Sequence, residues 1–350
     1  MTQDFPDRSE RVMVRIPDMF VSFLAEPPRL NPNYRQVKAN SEAWISEFCS
    51  LDERMSACIN QCDFSYFISI AAPEAALAEY RTLCDWGNWA FPYDDMFDNG
   101  ELRDQPMAAA MMLQSLMSPM REDNAQEKNE SGEERLPIIK VHDTIWERIK
   151  KRRFAAAMAD YCAGALMQVE DFSSHKIVSP EEMLERRQLS AAVSPLFSLV
   201  EYAHELQVPD YVFEHPAIRE IERLGIDFVL ITNDILSYRK EEGESVPHNM
   251  VAVARMSGLG AQEAFDYVGN MLESRYERWE EAIHAVPNWG GEINRDVEKY
   301  IQGVADVVRA NLYWSFKSER YLGKDGLVVQ QTRCVHVLRF PEFLRNHSSL

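Results

Sequence analysis

The sequence predicts an all-α fold in one domain, and three observations carry that expectation. Most of the 350 residues follow the three-and-four hydrophobic spacing of helices rather than the alternation of strands. Glycine is sparse, at 14 residues, and the prolines cluster between the periodic runs. Hydrophobic residues make up 46% of the chain, enough for a sizeable core, and no shift of composition divides it in two.

Residues 1–20 read as an N-terminal tail, irregular over 1–14. In 41–60, SEAWISEFCSLDERMSACIN, the spacing of Trp44, Phe48, Leu51 and Met55 predicts a helix that Ser41 is placed to cap. Further helical runs cover 73–98, 106–118, 141–170, 180–205, 216–241, 247–255, 261–285 and 292–318. That makes roughly ten helices, more than a simple four-helix bundle needs. Residues 121–137, REDNAQEKNESGEERLP, are charged and poor in apolar groups, and read as a solvated loop. Residues 323–350 read as an irregular C-terminal tail, which leaves 21–322 as the domain. Met107, Met111, Met112 and Met117 read as core filler.

The net charge is −19 and the pI is near 4.9, so nucleic acid and anionic lipid would be repelled. No run approaches the ~18 apolar residues of a membrane span, and the N-terminus lacks a secretory h-region. A cytoplasmic protein without membrane insertion is the expectation. The six cysteines form no CxxC pair and read as buried free thiols. The eight histidines show no HExxH spacing, and no GxGxxG, P-loop or GxSxG pattern occurs.

Two polar clusters interrupt otherwise apolar helices. In FPYDDMFDNG, residues 91–100, Asp94 and Asp98 lie one helical turn apart and point the same way, with Asp95 about 100° round. The upstream CDWGNWAFPY is too aromatic for an exposed face, so these like charges need a cation. Far downstream, in NDILSYRKE, Asn233, Ser237 and Glu241 are spaced by four and share one broad helix face. Carboxylate, amide carbonyl and hydroxyl oxygens are hard donors suited to Mg²⁺, which takes few protein ligands and completes its shell with water or phosphate oxygens.

Asp94–Asp98 as DDxxD, followed about 140 residues later by NDxxSxxE, resembles the paired metal motifs of class I terpene synthases. The lengths fit the family's microbial single-domain members, and the sequence looks most like its fungal branch of sesquiterpene synthases. Further residues fit the resemblance. Arg320-Tyr321 matches the family's C-terminal Arg-Tyr pair that grips diphosphate. Arg187, with Arg186 beside it, stands 46 residues before Asn233, where the family carries its diphosphate-sensing arginine. Lys240 stands where the family has a diphosphate-contacting lysine. Ala191 takes a position often held by Gly, a mild departure. The resemblance covers about residues 40–322.

The resemblance implies a class I terpenoid synthase helical bundle around a central active-site cavity. It implies three Mg²⁺ ions, with Mn²⁺ as a substitute, held by Asp94, Asp98, Asn233, Ser237 and Glu241. Asp95 would act behind them or by pairing with Arg187. Arg187, Lys240, Arg320 and Tyr321 would bind the diphosphate of a prenyl diphosphate, most often farnesyl diphosphate, for cyclisation to a sesquiterpene. Bound cations would explain how so acidic a chain takes an anionic substrate. Phe67, Phe91 and Trp314, with Trp89 near Phe91 and Ala191 on the wall, would line a dry pocket whose ring faces attract a carbocation. A homodimer is compatible with such folds, though no interface is legible. The nearest rival is a chain-elongating prenyltransferase, which would need a second Asp-rich motif in place of NDILSYRKE. A non-catalytic helical scaffold would leave both motifs unexplained.

Overall fold

A computed structural model describes residues 11–98, 100–121, 135–174, 176 and 178–347. In chain order the helices are α1 (Tyr34–Phe48), α2 (Glu53–Cys62), α3 (Phe64–Ala71), α4 (Leu77–Asp98), α5 (Pro106–Met117), α6 (Pro137–Ile149), α7 (Arg152–Ser173), α8 (Pro180–Ser190) and α9 (Val193–Ala203). They continue as α10 (Asp210–Phe213), α11 (Pro216–Gly243), α12 (Met250–Met256), α13 (Ala261–His284), α14 (Gly291–Lys317), α15 (Glu319–Leu322), α16 (Gly326–Thr332) and α17 (Glu342–His347). Two short strands, β1 (Arg11–Arg15) and β2 (Cys334–Leu338), complete the set. Among the described residues no helix is long and apolar enough to cross a membrane.

Local chemistry divides three of the expected runs. The helix expected over 41–60 is two: α1 starts at Tyr34 and ends before Ser50, which turns left-handed at φ 50°, and the Asp52 carboxylate then caps α2 by accepting from Met55 N at 2.7 Å. Ser41 is therefore inside α1 rather than capping it, where its buried hydroxyl donates to Asp85 Oδ1 at 2.6 Å. The 141–170 run breaks at Lys150 (φ 42°), and 180–205 breaks at Ala192 (φ 54°). α3, outside every periodic run, is apolar or buried over nearly its whole length, so it presents no amphipathic stripe to read.

The two longest helices, α11 and α14, pack against each other, with α13 beside α11 and α3 beside α14. Glycine matters where helices approach most closely. A Cβ at Gly87 on α4 would come within 1.9 Å of the Phe64 ring, and one at Gly164 on α7 within 2.5 Å of Ser190 N. These two positions let Phe64 and the end of α8 reach the centre of the molecule.

The described parts of both expected tails, residues 11–20 and 323–347, instead join the body. β1 and β2 pair antiparallel, from Arg11 opposite Leu338 to Arg15 opposite Cys334. Val14, Ile16, Met19, Val335, Val337 and Phe343 join the core, so the boundaries at 20 and 323 do not coincide with the edge of the packed unit. The pairing is between chain ends, which no local pattern announces. Most of the expected loop at 121–137 lies outside the described residues, and Pro137 begins α6. The methionine stripe is only partly core: Met117 is buried, but Met107 and Met111 face solvent at 78% and 66% exposure. Cys62, Cys84 and Cys162 are buried free thiols, whereas Cys58 is exposed.

Candidate active site

α4 brings the first acidic motif to the mouth of a central cavity of about 1120 Å³, counted with its open mouth. Pro92, inside α4 and two residues before Asp94, has no N–H to offer the carbonyl one turn back, which loosens the helix just before the motif. Asp94 and Asp98 both line the cavity. Tyr161 OH donates to Asp94 Oδ1 at 2.9 Å, and Gln168 Nε2 donates to Asp98 Oδ1. Burial, then the charges of Asp98 and Asp95, push the Asp94 carboxyl well above its ordinary range. Burial, then Asp95 and Glu241, push Asp98 up as well. Arg320 acts against the rise at Asp94 and Arg187 against the rise at Asp98, but burial and the neighbouring acids outweigh them.

Asp95 behaves differently. Burial would raise it, but the Arg320 guanidinium overrides this and holds it below the usual carboxylate range. The contact is forked, Arg320 NH2 to Oδ1 at 2.7 Å and NH1 to Oδ2 at 3.3 Å. The expectation that Asp95 pairs with Arg187 is thus corrected. Arg187 lies 2.8 Å from Asp234 Oδ1, and also donates to His248 O at 3.2 Å and Asn233 Oδ1 at 3.3 Å. Asp234 fills the role because it is buried one residue along the same apolar helix, where an unpaired carboxylate would be costly.

α11 presents the second cluster across the cavity. Asn233, Lys240 and Glu241 line it. Asn233 Nδ2 donates to Tyr321 OH at 2.9 Å, so the second motif touches the Arg-Tyr pair directly. Glu241 accepts from Asn249 Nδ2 at 2.8 Å, and Lys240 Nζ donates to Glu244 at 2.8 Å. Ser237 is on the same helix face but fully buried, with its Oγ 3.4 Å from Asn249 Nδ2, and is not part of the cavity wall. Among the described residues no three Asp, Glu, His or Cys side chains could enclose an ion by themselves. The donor set fits a hard cation that keeps open coordination positions: Asp94 and Asp98 on one side, Asn233 and Glu241 on the other.

Below this polar rim the wall is aromatic. Phe67, Phe91 and Trp314 line the cavity, as do Ala191, Trp89, Phe64 and Trp86. Phe64 stacks on Phe67 at 4.5 Å between ring centroids, and Phe91 stacks on Trp314 at 5.3 Å. Trp314 Nε1–H donates to Cys62 O at 2.6 Å, and Trp89 Nε1–H to Ile138 O at 2.8 Å, so each indole turns its ring rather than its N–H to the cavity. The Arg320 guanidinium lies 4.2 Å from the Phe91 centroid, joining the charged rim to the aromatic floor. Arg320 and Tyr321 also line the cavity.

Sequence reasoning missed the residues that hold the motifs. Tyr161 and Gln168 stand two turns apart on α7 and gave no signal apart from their partners. Asn249 could have been found as the N-cap of α12, since Asn directly precedes an apolar run and its Oδ1 accepts from Val251 N at 2.8 Å.

Comparison with known proteins places this architecture. Residues 85–278 match the family model described as terpene synthase family 2, C-terminal metal binding, a region that includes both clusters. Silphinene synthase of Penicillium patulum is 33% identical over 341 residues, covering 93% of this chain and 90% of the relative. (+)-Eremophilene synthase of Gibberella fujikuroi is 33% identical and covers 91% of each chain. Among solved structures, α-eudesmol synthase superposes with a TM-score of 0.73 at 20% identity over 84% of this chain and 97% of that one. Wild-type cucumene synthase gives 0.71 at 19% identity over 83% and 98%. Both clusters at the mouth of this aromatic cavity thus fall within a metal-binding family model, and the chain belongs to the terpene synthase family.

Proposed function

We propose that this enzyme ionises farnesyl diphosphate with three Mg²⁺ ions and cyclises the resulting cation to a sesquiterpene, releasing diphosphate. The observation that supports it best is the polarity of one cavity. Four hard-oxygen donors and three cationic side chains ring its mouth, and aromatic rings fill its depth.

Asp94 and Asp98 would hold metal from the α4 side, and Asn233, Ser237 and Glu241 from the α11 side. To join the set, the buried Ser237 Oγ would turn away from Asn249 Nδ2, 3.4 Å from it. When bound, the ions neutralise the diphosphate and polarise its bond to the allylic carbon. The chain supplies the rest. Arg187, Lys240 and Arg320 donate to diphosphate oxygens, and Tyr321 OH donates beside them. To do so, Lys240 leaves Glu244, a partly exposed pair of small worth. Asp95 keeps Arg320 charged and aimed from behind. Phe67, Phe91, Trp314 and Trp89 exclude water and offer ring faces to the cation, while Ala191 leaves room at the wall. Among the curated relatives, the silphinene and (+)-eremophilene synthases support the reading by the products in their names.

The test is a set of incubations with ten-, fifteen- and twenty-carbon prenyl diphosphates, each with Mg²⁺ and with EDTA, analysed by gas chromatography–mass spectrometry. The expected result is a cyclic fifteen-carbon product from farnesyl diphosphate with Mg²⁺ only. Consumption of added isopentenyl diphosphate with chain lengthening would replace the reading with a transferase.

A further inference from the structure

The loops that leave the two clusters are tied to each other. Arg103, in the turn that follows the first motif, donates from NH2 to Ser245 O at 2.5 Å. Ser245 stands in the loop that follows the second motif. The guanidinium also lies 4.0 Å from the centroid of Phe172 near the end of α7. No carboxylate lies within ion-pairing distance of Arg103 among the described residues, and its Nε is buried without a partner. Its directed hydrogen bond is to a carbonyl, with the charges of Asp98, Asp104 and Glu244 acting from beyond ion-pair distance. Ser245 itself is held left-handed at φ 55°, a conformation that costs a non-glycine residue free energy and persists only when its surroundings impose it.

Those surroundings are the chain's C-terminal arm. Ser245 Oγ donates to Glu342 Oε2 of α17 at 2.9 Å. Glu242, next to Glu241, is buried and accepts from Leu338 N of β2 at 2.8 Å, with Arg11 of β1 at 3.4 Å. Arg255 secures the same strand end by donating to Leu338 O at 2.9 Å and Arg339 O at 2.7 Å. Arg103 therefore reaches from the α4 side to a loop that the β1–β2 arm has already fixed. The space beneath it is a second cavity whose wall includes Asp98, Gln168 and His248, all shared with the central one.

We propose that Arg103 is a positioning residue for metal-dependent turnover, clasping the first-motif loop to the arm-anchored second-motif loop so that Asp98 and Glu241 face each other at a fixed separation. The proposal rests on the metal-and-diphosphate reading of the central cavity. It adds the C-terminal arm to the catalytic apparatus as an anchor.

Arg103→Met keeps a long unbranched side chain and removes every donor, together with the guanidinium that lies over Phe172. Two readouts test it: the Mg²⁺ concentration for half-maximal diphosphate release from farnesyl diphosphate, and the rise in Tm that Mg²⁺ with inorganic diphosphate produces without turnover. Removing a residue that orients metal ligands costs roughly tenfold or more in metal dependence. The variant should need about that much more Mg²⁺ and lose at least half of the wild-type Tm rise, with its metal-free Tm close to wild type. Wild-type values for both readouts would overturn the clasp, as would a loss of metal-free stability with an unchanged Mg²⁺ requirement. Should Arg103→Met not fold, Arg103→Gln, a shorter polar side chain, carries the same test of the clasp, and Ser245→Gly tests the anchor. Glycine keeps the carbonyl that Arg103 reaches and accepts this backbone conformation without strain, but releases Glu342, so loss of the anchor alone should raise the Mg²⁺ requirement. A wild-type protein that ignores farnesyl diphosphate yet shows the Tm rise would sink the substrate reading and leave the clasp to be judged by the Tm readout.

Discussion

Asp94 and His142 illustrate two ways of burying an ionisable side chain. Asp94 is buried beside Asp95 and Asp98, which raises its carboxyl, and on the proposed reading a bound metal ion would offset that cost. His142 has no such offset. It is fully buried between Trp89 and Phe154, with ring centroids at 4.5 and 6.1 Å, and neither ring nitrogen has a partner among the described residues. Burial, helped by Arg135, pulls its pKa from 6.5 down to about 3. The native state therefore binds fewer protons than the unfolded state between those values, and stability falls as pH drops below 6.5. His142→Phe removes this liability and keeps the ring. Acid unfolding followed by circular dichroism should shift to lower pH in the variant, and a shift to higher pH would show that the imidazole contributes a contact the ring cannot replace. At Phe91, truncation to alanine removes the ring between Arg320 and Trp314. Cation–π contacts of this kind are worth about 0.5–2 kcal/mol. The expected outcome is a changed product ratio with more acyclic or alcohol products. An unchanged product profile would assign Phe91 to packing alone.

Helices carry the site by close approach, and how legible each was depended on its surroundings. α4 and α11 declared themselves because acids and amides at four-residue spacing interrupt apolar sequence. The facing of the two clusters was legible through the family resemblance, and it is visible in the reach of the Glu241 charge to Asp98. α3 was not legible, since a helix buried all round has no polar face to give it a period. The breaks at Lys150 and Ala192 were hidden because neither residue is the glycine that usually marks a left-handed turn. The exchange of partners between Arg187 and Asp95 was equally out of reach, because it depends on how far α8 and α15 stand from α4. The approach of α8 to α7 gives a prediction at this scale. Gly164→Ala would force the end of α8, with Ser190 and the nearby Arg187, away from the cavity. Overpacking of this kind costs about 1–3 kcal/mol. The variant should fold with a lower Tm and a raised KM for the prenyl diphosphate, and a wild-type KM would indicate that α8 adjusts without moving Arg187.

At the scale of the whole molecule, the proposed site would reconcile the acidic charge of the chain with an anionic substrate at one cavity mouth. On the proposed reading, Asp94 and Asp98 on one side of that mouth and Glu241 on the other would hold divalent cations, which would make the mouth a receptor for diphosphate. The fold class and the residues of both clusters could be read from sequence because their chemistry is local. The closure of the two chain ends into the β1–β2 arm could not, since residues 11 and 338 are brought together only by the finished fold. The central claim is that both sides of the mouth hold metal for ionisation of the prenyl diphosphate. Its most direct test is the initial rate of diphosphate release from farnesyl diphosphate across a Mg²⁺ titration, for wild type, Asp94→Ala and Glu241→Ala. The account predicts that each variant loses at least about 100-fold in rate at any fixed Mg²⁺ concentration while its metal-free Tm stays near wild type. Wild-type rates from either folded variant would contradict it.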